Sequence, residues 1–316
     1  MNRYAFGCLT WMVLALTPAA AQDYPTKPVR IVVGFAAGSV SDIVARLVGQ
    51  KLEAALGKPF VVEVRPGAGS NVAGQYVVRS AKDGYTLFVS TSSSTIRSPT
   101  AGFDFGTDLA PVALISSVPF VLAAYPGLGV KTVQEFVAAA KRKPKELTLG
   151  GSGVGTTGYL AAQLFNQRAG TDLAIAPYPS TVQATTDLMM GRISVAFASV
   201  SNVVQLIEAG KLTALAMAQP TRSALLPDTP TIDEAGLPGV YASIWIGMLA
   251  PVGTPDPIVQ RLSRVINDAL KTEDVGRQLR VQGMEVLGGN PEEFALRIKK
   301  DTAGWDAILR ASGTAN

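Results

Sequence analysis

Two stretches of small residues stand where a strand would pass into a helix, and both have the composition of an anion-binding loop. The first comprises Gly34, Phe35, Ala36, Ala37, Gly38, Ser39, Val40, Ser41 and Asp42. Small side chains let a ligand approach the backbone, and the N–H groups at the start of the following helix attract negative charge. The loop therefore predicts a cradle for a carboxylate. The alternative is an ordinary connection in which Ser41 or Asp42 caps the helix.

The second stretch follows another predicted strand and is richer in glycine. It comprises Gly150, Gly151, Ser152, Gly153, Val154, Gly155, Thr156, Thr157 and Gly158. Its glycines are superficially like those of nucleotide loops, but the lysine of a P-loop is missing and no acidic ribose ligand follows at the usual distance. A ligand held from both sides explains the two cradles better, and residues 152–157 are the predicted contacts here.

A run of hydroxyl residues, from Ser90 to Thr95, leads to Arg97. Ser92 and Ser93 could donate hydrogen bonds to carboxylate oxygens, and Arg97 could pair with a carboxylate through two bonds. The alternative is a solvated turn with Arg97 pointing outward.

Other candidates are single residues at the ends of predicted strands or with aromatic rings. Ser199 and Asn202 follow an apolar strand, where they could reach a cleft or simply cap the strand. Tyr178, Trp245 and Phe35 could line an apolar pocket or fill the core.

The sequence lacks the side chains of the commonest catalytic and metal sites. It contains no histidine, and its one cysteine, Cys8, lies in the N-terminal apolar run. Ser-His-Asp hydrolysis, Cys-His catalysis and zinc sites are therefore excluded. We expect no catalytic residue, no metal site and no cofactor. The alternative from a different class is an exported hydrolase that uses carboxylates, but no motif links Asp42, Asp83, Asp104 and Asp108.

Residues 1–21 have the pattern of a secretory signal peptide. Arg3 precedes a short apolar run, and Ala19, Ala20 and Ala21 offer a cleavage site after Ala21. The mature chain is expected in the periplasm, because the run is shorter than the roughly 20 residues that cross a bilayer. Removing Arg3 lowers the basic count from 28 to 27 against 24 acidic residues. This mild charge, without a basic surface interleaved with aromatic residues, predicts no nucleic-acid partner.

The elements that position these residues alternate between strands and helices. Val29–Val33 and Phe60–Val64 are β-branched runs that predict strands, and the periodicity of Asp42–Leu56 predicts a helix. The unit recurs near Leu87–Val89 and Leu147–Leu149. This alternation favours an α/β fold with mainly parallel sheets.

The length of the chain and two apolar runs suggest two lobes. Val118–Tyr125 and Leu215–Ala218 are interpreted as crossings between them. Lobe 1 would comprise residues 23–120 and 222–316, and lobe 2 residues 121–221. The tail predicts two amphipathic helices, Pro257–Leu270 and Pro291–Leu309.

Several motifs in order along the chain resemble those of the extracytoplasmic solute receptors of tripartite tricarboxylate transporters. They begin at Tyr24-Pro25-Thr26-Lys27-Pro28-Val29-Arg30 and continue through residues 62–71, Asp83-Gly84-Tyr85-Thr86-Leu87, Arg222 with residues 226–231, and Ala250-Pro251-Val252-Gly253-Thr254-Pro255. Each motif is weak by itself, but their order is specific, and the resemblance extends to the last helix.

The resemblance implies a type II periplasmic-binding-protein fold, with two α/β lobes joined by a two-strand hinge and the ligand cleft between them. In such receptors the two βα loops hold a carboxylate through backbone groups, small side chains and ordered water. It also implies a monomer that delivers its ligand to the membrane subunits of a tripartite tricarboxylate transporter.

Two departures from the family pattern bear on the ligand. The first loop of the family usually reads Pro-Phe-Pro-Pro-Gly-Gly, whereas here Ala36 and Ala37 replace prolines. The aspartates that are common at the position of Ser194 and directly before Ser199 are also absent. Losing a partner for an ammonium group argues against amino acids. Small residues beside Phe35 favour an aromatic mono- or dicarboxylate of the phthalate or terephthalate type, with citrate or a C4 dicarboxylate as the alternative.

Overall fold

The computed structural model describes residues 24–95, 102–143, 145–152, 156–178 and 181–311, whose strands form one sheet in two parts. In the first part, β1 (Val29–Val33), β2 (Phe60–Val64) and β3 (Thr86–Thr91) are parallel. β4 (Leu109–Ala124) and β9 (Ser243–Pro251) pair with each other, and β9 also pairs antiparallel with β3. The short β10 (Glu285–Val286) pairs with β4.

The second part of the sheet is built around the end of β4. There β4 pairs antiparallel with β7 (Val195–Ser199) and β8 (Thr213–Met217). β5 (Thr148–Ser152) lies parallel to β7 and to β6 (Ala174–Tyr178). One strand, β4, therefore belongs to both parts.

Helices cover the sheet on both faces. They are α1 (Val40–Leu56), α2 (Asn71–Val78), α3 (Val133–Arg142), α4 (Thr157–Ala169), α5 (Thr181–Met189), α6 (Val200–Glu208), α7 (Asp256–Leu270), α8 (Glu273–Val281) and α9 (Pro291–Ala311). The predicted strands Val29–Val33 and Phe60–Val64 are confirmed, and the helices predicted at 42–56, 257–270 and 291–309 lie within α1, α7 and α9. Within the described ranges, no helix combines the length and hydropathy needed to cross a membrane.

Each part of the sheet has apolar cores on its two faces. In the first part, α1 and α7 pack on one face, around Ile31 and Leu262, and α2 and α9 on the other, around Trp245 and Phe294. In the second part, α3 and α4 pack on one face and α5 and α6 on the other. Because helices cover both faces of the strands β1–β3, β1 is apolar and buried except at Arg30.

The chain passes between the two parts at β4 and at the start of β9. Pro119 pairs with Ser243 in the first part, and the next residue, Phe120, pairs with Ser199 in the second. The apolar run at Leu215–Ala218 forms β8 and the residue after it, and Ala218 accepts a hydrogen bond from the backbone N–H of Ala242. Residues 222–242 pack with the second part through Leu226, Ile232 and Val240. We call residues 117–120 of β4 and 243–246 of β9 the crossing.

Candidate functional site

The carboxyl ends of the parallel strands lie along two edges of the sheet, and both edges meet the crossing. The last residues of these strands are Val33, Val64 and Thr91 in the first part and Ser152, Tyr178 and Ser199 in the second. Thr91 pairs with Ile246 of β9, and Ser199 pairs with Phe120 of β4. Open α/β sheets bind ligands beyond the carboxyl ends of their strands. The loops that follow these strands are therefore the candidate site.

The first predicted loop is organised by the carboxylate of Asp42. Its Oδ2 accepts hydrogen bonds from the backbone N–H of Gly38 at 2.9 Å and from Nε of Arg46 at 3.1 Å. The N-cap is Ser39, whose Oγ accepts from the backbone N–H of Asp42 at 3.4 Å. The N-cap named in the alternative interpretation, Ser41 or Asp42, is wrong, because the turn before the helix brings Ser39 into that position.

Burial would raise the pKa of Asp42, but the hydrogen bonds from Arg46 and Gly38 hold that pKa below its ordinary value. Asp42 and Ser41 are buried, so they support the loop from its inner side. The exposed or partly buried members of the loop are Phe35, Ala36, Ala37, Gly38 and Ser39. The surface that this loop offers a ligand is therefore made of backbone and small side chains.

A third loop, which the sequence analysis did not include in the site, lies against the first. Ser70 follows β2 in a left-handed conformation, with φ of 81°. A Cβ added to Gly34 would lie 2.6 Å from Cβ and 2.7 Å from Cα of Ser70, so the two backbones touch because residue 34 is glycine. The Oγ of Ser70 is buried and has no hydrogen-bond partner among the described residues. Gly67 and Gly69, on either side of Ala68, were a sequence signal for this loop, but they were interpreted only as part of the family motif.

The hydroxyl run at the end of β3 and just after it is largely buried, and Ser92 links it to the crossing. Ser92 is 1% exposed, and its Oγ donates to the backbone carbonyl of Ser243 at 3.5 Å. Ser90 donates to Ser94 at 2.9 Å. The Oγ1 of Thr91 is buried without a hydrogen-bond partner in the part of the chain that is described. Ser93 is half-buried, and Arg97 lies outside the described residues.

The second predicted loop ends at a well-formed helix start. Thr156 is the N-cap of α4, and its Oγ1 accepts from the backbone N–H of Tyr159 at 3.4 Å. Thr157 is 2% exposed, and its Oγ1 has no hydrogen-bond partner within the described ranges. Ser152 is the last residue of β5. Gly153, Val154 and Gly155, and the side chain of Ser152, lie outside the described part.

The remaining candidates in the second part of the sheet differ in their surroundings. The hydroxyl of Tyr178 donates to Oδ2 of Asp187 at 2.8 Å, and burial together with this bond raises the pKa of Tyr178. Ser199 is buried at the start of α6 and accepts a hydrogen bond from Ser201 at 3.4 Å. Asn202 is exposed one turn further on. Tyr178 and Ser199 end the two strands on either side of β5, whereas Asn202 lies on the surface of α6.

Trp245 belongs to the core. It is fully buried, its ring packs edge-to-face on Phe294, and its Nε1 donates to Oδ2 of Asp301 at 2.7 Å. Asp301 also accepts from Nε of Arg297, whose Nη2 donates to Oγ of Ser243. Helix α9 is thus anchored to the crossing beside Ser92.

The described part of the site has hydroxyls and backbone groups but little free charge. Ser70, Thr91 and Thr157 share one property: each has a buried hydroxyl oxygen without a partner in the described ranges, and each lies at or after the carboxyl end of a strand. Buried polar atoms are normally paired. Among the described residues, no three histidine, cysteine or acidic side chains lie close enough to hold a metal ion. This arrangement can bind a polar ligand through hydrogen bonds.

The model of the tripartite tricarboxylate transporter receptor family matches residues 44–314. The chain belongs to this family. Protein BugT of Bordetella pertussis is 32% identical to it over 301 residues, which are 94% of this chain and 92% of that protein. The resemblance read from the sequence is therefore confirmed, and the chain is a solute-binding receptor of a periplasmic receptor family.

Solved structures agree with this assignment. Rpa4515 of R. palustris, solved with adipate, is 32% identical with a TM-score of 0.76, and the match covers 92% of this chain and 99% of that one. MatC of Rhodopseudomonas palustris, solved with bound malate, is 30% identical with a TM-score of 0.72, covering 90% and 100%. A TctC solute-binding protein from Polaromonas has a TM-score of 0.82 at 24% identity over 91% and 99%, which supports the fold alone. The predicted fold class is confirmed.

Proposed function

We propose that this receptor captures a small organic carboxylate at the crossing and delivers it to the membrane subunits of a tripartite tricarboxylate transporter. The observation that carries the proposal is the set of buried hydroxyls of Ser70, Thr91 and Thr157 at the two facing edges, none of which has a hydrogen-bond partner among the residues that the structure describes. A carboxylate accepts hydrogen bonds from several hydroxyl and N–H donors at once, directly or through water. The similar proteins solved with adipate and malate bind compounds of this class.

We propose that ligand binding closes two lobes that meet at the crossing. Lobe 1 comprises residues 23–120 and the chain from residue 243 onward, and lobe 2 comprises residues 121–242. This division differs from the sequence-based one by residues 222–242, because Ile232 and Val240 pack in the core between α3 and α4. Only the difference in affinity between the open and closed states can drive closure.

The proposal extends to the carbon skeleton that carries the ligand's carboxylate. Exposed Ala36 and Ala37 beside Phe35 leave space at the mouth of the first loop, which favours an aromatic mono- or dicarboxylate of the phthalate type. Aliphatic dicarboxylates are the second candidate, because adipate and malate occupy two similar receptors. The ligand leaves chemically unchanged, since the receptor acts in the periplasm as a monomeric carrier and not as an enzyme.

A thermal-shift panel of phthalate, terephthalate, benzoate, adipate, malate and citrate tests the function. A ligand at a hundred times its dissociation constant stabilises the folded receptor by about 2.7 kcal/mol. Chromatography of the recovered ligand separates binding from turnover. A panel without a hit contradicts the carboxylate proposal, and a converted ligand contradicts the carrier role.

Two threonines provide a matched pair of variants. Thr157→Val removes an unpaired hydroxyl at the site, so we expect affinity to fall about tenfold with no loss of stability. The Oγ1 of Thr254 is buried in lobe 1 and donates to the carbonyl of Pro251 at 2.8 Å. Thr254→Val should therefore lower stability by about 1 kcal/mol and leave affinity unchanged. Equal affinities for the two variants would remove Thr157 from the site.

A further inference from the structure

A surface groove lies between α3, the end of α4 and the turn at residues 235–237, away from the strand edges that form the ligand site. Its volume is about 400 Å³, and it is lined by Val133, Gln134, Val137, Ala138, Lys141, Arg168, Ala169, Ala235, Gly236 and Leu237. Val133, Ala169 and Ala235 are buried and form an apolar floor. Nε2 of Gln134 donates to the carbonyl of Ala235 at 2.9 Å, which joins α3 to the turn.

Among the described residues that line the groove, two are cations and none is acidic. Lys141 and Arg168 are exposed at its sides. Neither forms an ion pair within the described ranges, whereas nearby Lys143 pairs with Glu146 and Arg222 with Glu234. The rest of the lining is apolar or small, apart from Gln134, which is bonded to the turn.

The acidic residues next to the turn have hydrogen-bond or ion-pair partners that do not line the groove. Asp233 accepts from the hydroxyl of Tyr241 at 2.8 Å. Glu234 pairs with Arg222 and accepts from the backbone N–H of Thr231. The positive charge of the groove is thus not neutralised by its own loop.

We propose that this groove docks an acidic segment of the membrane subunits, with a carboxylate between Lys141 and Arg168 and small apolar side chains on the floor. The inference rests on the proposed function, because it names the surface through which the receptor meets its transporter. A concave site with two cations and an apolar floor suits a protein segment. Anionic lipid surfaces are bound instead by clusters of about 4–8 basic residues.

Helix α4 connects the groove to the ligand site. Its N-terminus follows the second ligand loop at Thr156, and Arg168 lies in its last turn. A helix of this length spans about 20 Å. The same rigid element therefore contacts the ligand at one end and the membrane subunit at the other.

The test compares two double charge reversals of equal net charge. Lys141→Glu with Arg168→Glu reverses the groove. Arg142→Glu with Arg280→Glu reverses two other basic residues in the last turns of helices, so it controls for net charge and for the helix dipole. Binding of each full-length receptor to the purified membrane subunits in nanodiscs is measured at several salt concentrations.

We expect the groove variant to lose affinity for the membrane subunits by about tenfold or more and to lose most of its salt dependence. The control should change by less than twofold. Ligand affinity should stay within twofold of wild type in both variants. Equal weakening in both variants overturns the proposal, as does unchanged binding in the groove variant. It is also overturned if wild type binds anionic phospholipid vesicles and only the groove variant does not.

The two proposals fail in different measurements. If no carboxylate of the panel binds, the proposed ligand class is wrong, and the nanodisc comparison still tests the groove independently. A receptor that binds carboxylates and docks normally with a reversed groove rejects the groove alone.

Discussion

Replacing Gly34 by alanine perturbs the candidate site without removing any of its hydroxyl groups. The added Cβ would lie 2.7 Å from Cα of Ser70, and Cβ atoms essentially never approach a heavy atom within 3.0 Å. The loop after β1 or the loop after β2 must therefore move. Overpacking costs about 1–3 kcal/mol. We expect the upper half of this range, because the alanine meets backbone as well as a side chain.

A second substitution separates the side-chain clash from the backbone clash. Ser70→Gly removes Oγ and Cβ but leaves Cα at 2.7 Å, so the double variant should recover only part of the lost stability. Ser70→Gly alone should be neutral or stabilising, because residue 70 has a φ of 81° that favours glycine. Gly304→Ala in α9 is the control. Its added Cβ has no atom within 4 Å, and alanine there should add about 0.5–1 kcal/mol.

Urea unfolding gives the free energy of unfolding of each variant, and calorimetric titration with the best carboxylate of the panel gives its affinity. We expect Gly34→Ala to lose both stability and affinity, since the first loop holds the ligand and must shift. If Gly34→Ala matches wild type in both, the contact between the two loops is not as described. If Ser70→Gly restores everything, the backbone has no part in the clash.

Three further substitutions probe stability. Asp42→Asn should remove stability that wild type has above the ordinary pKa of 3.8 and loses as the pH falls through the lowered pKa of the folded state, so urea curves of the two proteins should converge in acid. Thr132→Ala breaks a capping box with Glu135 and should cost about 0.5–2 kcal/mol in the same assay, whereas Thr132→Ser should retain most of the stability. Asp301→Ala leaves Nε1 of Trp245 buried without its acceptor and should cost about 1–3 kcal/mol, part of which Trp245→Phe should recover in the double variant.

Local sequence rules located the elements beside the site well. β1 and β2 have the predicted bounds because both are short runs rich in β-branched residues, although β1 is buried except at Arg30 and β2 is an edge strand with Val61 exposed. Helix α1 begins at Val40, two residues before its predicted start at Asp42. The cause is the turn in which Ser39 N–H bonds to the carbonyl of Ala36, which makes Ser39 and not Ser41 the cap.

The contacts that decide the site depend on residues far apart in sequence. Ser70 was missed because its relation to Gly34 depends on two loops that meet only in the folded sheet. Trp245 packs in the core because α9 supplies Asp301 as the acceptor for its Nε1. The strand that returns to the first part of the sheet could not be identified from the apolar run at Leu215–Ala218, since β8 and β9 are both apolar and differ only in that β9 also pairs with β3.

The position of β9 has a consequence for how the chain acquires its structure. β9 lies between β3 and β4, although it follows them by more than a hundred residues. The first part of the sheet therefore cannot close until Ser243–Pro251 has left the ribosome, and long-range pairing of this kind is slow. During synthesis the N-terminal half of the chain therefore has unpaired strand edges and an incomplete apolar core. The first part of the sheet is therefore completed only after more than three quarters of the chain has been synthesised.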